Sequence, residues 1–180
     1  ESGASEPRLG AARAALLQPV EQAKLFPNVP VPDGSFGGAL DVQGDTAVVG
    51  ASSIDPLKSF VGGAYVFERS GGIWAQEALL VPPQGQTADF FAESVALDGD
   101  TIAAGQPYEI AGGGLVYTFV RTSGTWTLEA QIAPEDGLGT ASFGAALALS
   151  GDTLLVGDRD GEAAYVMVRS GGVWTQQAKL

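Results

Sequence analysis

The sequence predicts an all-β fold of four-stranded antiparallel sheets, and three observations predict it. Glycine and proline punctuate the chain, with 26 glycines and 10 prolines in 180 residues, while 45% of the residues are hydrophobic. That mixture gives many turns around a sizeable core, and so short strands more than long helices. One segment, GDTAVVG at 44–50, recurs as GDTIAAG at 99–105 and GDTLLVG at 151–157. The stretch before each copy alternates apolar and other residues at period two, the pattern of a half-buried strand.

The first strand of each repeat opens on Phe36, Phe91 or Phe143 and reads FGGALDVQG, FAESVALDG or FGAALALSG. The x-Gly-Asp-Thr segment then makes a tight hairpin. Asp45, Asp100 and Asp152 are expected there as turn residues that hydrogen-bond their own backbone. A second, more fully apolar strand follows. The third reads GAYVFER, LVYTFVR or AAYVMVR and carries Tyr65, Tyr117 or Tyr165, with Arg69, Arg121 or Arg169 marking its end. The glycine turns SGG, TSG and SGG lead to the fourth strand, WAQEALL, WTLEAQI or WTQQAKL, which opens on Trp74, Trp126 or Trp174. Four antiparallel strands in about fifty residues is the content of one propeller blade. The fixed Tyr and Trp suit blade packing better than sugar stacking.

The spacing is stricter than the residue identities. Phenylalanine to the second glycine is 14 residues in all three copies, and tyrosine to tryptophan is 9. Second glycine to tyrosine varies, at 15, 12 and then 8 residues. All length variation therefore sits in the loop between the second and third strands, which emerges on one face of a stack of blades. That face carries the partner-binding candidates Asp55, Lys58 and Phe60, then Tyr108 and Glu109, then Arg159, with Phe60 and Tyr108 as aromatic anchors.

With FG at 36–37 and 143–144, FA at 91–92, and VGAS, AGQP and VGDR closing the second strands, the chain resembles the FG-GAP repeat of integrin α-subunit propellers. The resemblance covers roughly residues 34–180. It implies a β-propeller fold and an extracellular role in interaction, adhesion or scaffolding. Calcium-binding members of that family keep an Asp-rich loop between the first and second strands of a blade. Here that junction is only QGDT, DGDT or SGDT, too short to wrap an ion that wants six to eight oxygens. Asp158, Asp160 and Glu162 form a weak alternative calcium site in a different loop, where a solvated turn is the simpler reading.

The N-terminal region adds an anomaly. VEQAKL at 20–25 matches TQQAKL at 175–180, and Pro19 stands 17 residues before Phe36, as Trp74 and Trp126 stand before Phe91 and Phe143. Residues 19–25 are thus expected to be an outer strand without the three that precede it, with Val20, Ala23 and Leu25 as assembly-strand candidates. The expected organisation is an N-terminal arm at 1–18, helical or extended, the orphan strand and its connection at 19–33, and blades at 34–82, 83–134 and 135–180. Three blades do not close a ring. The β-propeller-type blades are therefore open or completed by neighbouring chains, as a fragment of a longer propeller or as a self-associating chain that could form a filament.

Composition narrows the function. The net charge of −12 argues against nucleic acid and an anionic membrane surface, and the chain has neither Cys nor His. Disulfides, thiolate metal sites, cysteine nucleophiles and the usual general base are therefore excluded. No apolar run approaches the roughly 18 residues of a membrane span. The chain opens at Glu1 without a methionine or a signal-like segment, as expected of a processed or trimmed chain. The expectation is a secreted or cell-surface, non-enzymatic interaction module without cofactor, which self-associates or binds an unknown protein or glycan. A carboxylate-based carbohydrate-active enzyme is the weaker alternative.

Overall fold

The structure is a computed structural model that describes residues 21–28, 35–54, 61–83, 90–108, 113–136 and 142–180. Its strands are β1 (Phe36–Gln43), β2 (Thr46–Ile54), β3 (Val61–Ser70), β4 (Ile73–Leu80), β5 (Ser94–Asp98), β6 (Thr101–Gln106), β7 (Leu115–Thr122), β8 (Thr125–Ile132), β9 (Phe143–Ser150), β10 (Thr153–Asp158), β11 (Ala163–Ser170) and β12 (Val173–Lys179). They form three four-stranded sheets in plain meander order, β1-β2-β3-β4, β5-β6-β7-β8 and β9-β10-β11-β12. Every neighbouring pair is antiparallel.

The turns follow from the sequence. The hairpin between the third and fourth strands of each sheet places two successive residues at positive φ, as a type I′ turn requires: Gly71 and Gly72, Ser123 and Gly124, Gly171 and Gly172. Two-residue connections leave no slack, so the register is fixed and each side chain's face with it.

Each sheet has two faces. The leading face of the first carries Leu40, Val49 and Tyr65 in one row and Val42, Ala47 and Phe67 in the next. Its trailing face carries Ala39, Gly50 and Ala64, then Asp41, Val48 and Val66. The sheets stack trailing face to leading face. Val48, Ala64, Val66 and Leu80 form one core with Val95, Leu97, Ile102, Tyr117 and Phe119 of the second sheet. Ala103, Val116 and Ile132 form another with Phe143, Leu154, Val156, Tyr165 and Met167 of the third. The inner strands β1, β5 and β9 lie against neighbouring sheets, while β8 and β12 barely touch, so the sheets splay outward like blades around an axis. The opening phenylalanine of each blade meets that blade's tyrosine edge to face, at ring distances of 5.4, 5.5 and 5.2 Å.

One expectation needs correction. Residues 21–28 belong to no sheet and make no strand. Among the described residues no third strand lies beside them to supply a ladder. Leu25 instead packs on the leading face of the first blade with Ala47, Val49, Tyr65 and Phe67. Ala23 lines the same contact, and Val20 and residues 1–18 lie outside the described residues.

Candidate interaction site

Two recurring devices join the blades. The first is a clamp on the third-strand arginine. Arg69, Arg121 and Arg169 each donate Nε–H to the hairpin aspartate of the same blade, at 2.6, 2.7 and 2.7 Å to Asp45, Asp100 and Asp152. Each also lies over the tryptophan of its own blade, 5.1–5.2 Å from the ring. The turn aspartates therefore serve as arginine acceptors, a role the sequence reading did not assign. Two of the arginines reach on to the preceding blade. Arg121 Nη1 donates to Glu68 at 2.7 Å, and Arg169 Nη1 donates to Glu129 at 3.3 Å. Trp126 and Trp174 donate Nε1–H to Glu77 and Glu129 at 3.0 and 2.9 Å. Burial pulls the Arg121 guanidinium down, but its bonds to Asp100 and Glu68 outweigh this and hold it above its ordinary value.

The second device is a glycine-lined socket. A Cβ at Gly50 would collide with the carbonyl of Ala92, and one at Gly105 with that of Gly144. Cβ atoms at Gly62 and Gly114 would likewise strike the backbone of Phe91 and Phe143. The Phe-Ala or Phe-Gly segment that opens one blade thus seats in a cleft of the blade before it, possible only where side chains are missing. Ser94 locks the second socket by donating its hydroxyl to the Gly144 carbonyl at 2.5 Å. At the hairpins, Gln43 accepts from Gly99 N–H and Asp98 accepts from Gly151 N–H. The Gly151 N–H, with the Gln43 amide, holds the Asp98 carboxyl below its ordinary range.

Half of each device stands open at the ends of the stack. On the leading face of the first blade, Leu40 is 69% and Val42 59% exposed, whereas their equivalents Val95 and Leu97 in the second blade are 8% and 5% exposed. At the other end a cleft lined by Ala146, Gly157, Ala164 and Leu180 stands at the socket's position, with Glu162 where Gly62 and Gly114 stand in the other two. Among the described residues no further blade packs on either surface.

The predicted loop-face residues are partly brought together. Arg159 lies 5.7 Å from the ring of Tyr108, which also meets Phe90 edge to face at 5.0 Å. Burial pushes the nearby Glu93 carboxyl up, against the pull of the Arg159 charge. Asp55, Lys58, Phe60 and Glu109 lie outside the described residues. The weak calcium candidates are kept apart. Asp158 is 1% exposed, accepts from Ser142 Oγ and Gly161 N–H, and packs its second oxygen against Gly161. Asp160 faces Arg159 at 3.7 Å, and Glu162 is exposed. No three acidic residues converge on one point among the described residues.

The inter-blade carboxylates Glu68, Glu77 and Glu129 were missed as site residues. Glu77 and Glu129 follow their tryptophans by three residues, and Gln22 and Gln177 hold the matching places after Pro19 and Trp174, so the signal was present in the spacing.

The family model for the FG-GAP repeat matches the chain three times, over residues 19–67, 74–119 and 126–172. Each match runs from one fourth-strand position through the next blade's inner strands, and the first starts at Pro19. No curated protein matches the chain.

Proposed function

We propose, from the premise that the chain belongs to the FG-GAP repeat family, that it is an extracellular module that self-assembles or adheres by docking blade on blade. The repeats of this family are generally non-enzymatic propeller modules and typically occur in extracellular domains. No helix among the described residues is long and apolar enough to cross a membrane. One observation carries the reading: Leu40 and Val42 are exposed on a face whose equivalents are covered where a blade precedes them, Val95 and Leu97 fully and Leu147 and Leu149 in part. Covering the exposed part of these two side chains contributes roughly 1–2 kcal/mol each.

The test uses multivalency to amplify a weak contact. Beads coated with the full chain are expected to cluster in suspension, and beads coated with Leu40→Asp to stay dispersed. Equal clustering by both, or none by either, would overturn the reading.

A further inference from the structure

We propose that the cleft at Ala146, Gly157, Ala164 and Leu180 receives Phe36–Gly37 of a second copy, joining chains head to tail, and that residues 21–28 compete for this junction. The inference rests on the docking reading above and names its occupant, its geometry and its control.

Both halves of the junction are present on one chain. The internal contacts of first with second blade and second with third are one contact made twice, a Phe-Ala or Phe-Gly segment in a glycine-lined cleft. Among the described residues, Phe36–Gly37 is the remaining segment and the third blade's cleft the remaining socket. Gly37 already holds φ at +92°, beside +94° for the seated Gly144. A Cβ on Gly144 would meet Leu115 and Val116 of the preceding blade, while one on Gly37 would meet nothing within 4 Å. The segment is thus in its docked shape before docking, which lowers the entropy cost of association. The surfaces also complement each other in size. Leu40 and Val42 project from one, beside Tyr65 and Phe67, which Phe36 and Leu25 cover, and the other offers Ala146, Ala148, Gly157 and Ala164 beside Leu155.

The clamp has its counterpart as well. Arg69 and Trp74 stand where Arg121 and Trp126 meet Glu77. On an incoming third blade the equivalent position is Gln177, an amide acceptor in place of a carboxylate. A neutral acceptor makes a weaker junction than the internal ones, so the blades of one chain stay together while copies exchange.

Residues 21–28 hold the place that β12 of that copy would take. Asn28 N–H donates to Gln76 Oε1 at 2.8 Å, and Glu135 N–H donates to Gln176 Oε1 at 3.0 Å. Asn28 follows the 20–25 segment as Glu135 follows the fourth strand of the second blade, so the two bonds are equivalent. Leu25 packs on the first blade where Ile132 packs on the third. The match of VEQAKL to TQQAKL at four of six positions makes the segment a stand-in for β12. Held without a ladder, it is displaced more easily than a strand. Glu162 is the one misfit, standing where Gly62 and Gly114 admit a phenylalanine backbone.

Sedimentation velocity on full chains tests this. Leu25→Asp, which releases the segment, is expected to tighten self-association at least tenfold. Glu162→Gly in the otherwise native chain is expected to tighten it also, and does so without touching the segment. In the Leu25→Asp background, Leu40→Asp and Ala146→Glu each give monomers, but the two mixed give a one-to-one dimer, since each keeps the half the other lost. No association in either Leu25→Asp or Glu162→Gly, or no dimer on mixing, overturns the proposal. If bead clustering depends on Leu40 while Ala146→Glu leaves it unchanged, the docking reading stands and the head-to-tail junction falls.

Discussion

Ser123 is the residue at which one hairpin departs from its two siblings. It holds φ at +51°, where Gly71 and Gly171 hold +58° and +59°. An L-residue in this region costs roughly 1–2 kcal/mol, and the extra freedom glycine loses on folding returns about 0.5–1 kcal/mol of that. Ser123→Gly is therefore expected to stabilise the chain by about 0.5–1 kcal/mol, read as a higher midpoint in urea denaturation. The need for glycine at these turns was legible in the sequence, because backbone sterics act on one residue at a time. The fate of the turn aspartates was not. Asp45, Asp100 and Asp152 have short side chains beside their own backbone, but their acceptors face an arginine brought back by the third strand.

At the scale of strands and sheets, alternation told which residues face a neighbour and the two-residue turns fixed the register. What it left out is the cross-blade clamp, whose members lie 40 to 53 residues apart. Arg121 joins Asp100 of its own blade to Glu68 of the preceding one, whereas Arg69 holds Asp45 and the Gly44 carbonyl. Bonds to charged groups contribute about 1.5–3 kcal/mol, discounted here because both carboxylates are partly solvated. Arg121→Ala is expected to cost about 2 kcal/mol and Arg69→Ala about 1 kcal/mol, mostly its contact with Trp74. Thermal denaturation of the two variants checks the order, and equal losses would mean the inter-blade half of the clamp contributes nothing.

For the whole molecule, the same glycine carries different weight according to what sits on it. A Cβ at Gly105 strikes the Gly144 carbonyl, while one at Gly157 meets only Ala146 of its own blade, at 3.2 Å. Gly105→Ala is expected to wedge the second and third blades apart and cost about 2–3 kcal/mol, as overpacking does. Gly157→Ala is expected to cost under about 1 kcal/mol in the isolated chain, because only a side-chain contact must adjust. Calorimetry on dilute protein separates the two, and a similar loss at both positions would contradict the distinction between filled and open sockets.

The sequence by itself determined the repeat and the blade frame, and it showed an outer-strand motif at the N-terminus. These are properties of spacing, and spacing survives without coordinates. Only the tertiary structure decided that residues 21–28 lie on the first blade without pairing, that Asp158 turns inward while Asp160 and Glu162 stay outside, and that Leu40, Val42 and the cleft at Gly157 are uncovered among the described residues. Those outcomes depend on which face meets which neighbour. A strand's alternation names its two faces equally, and only the stacking shows which of them is left uncovered.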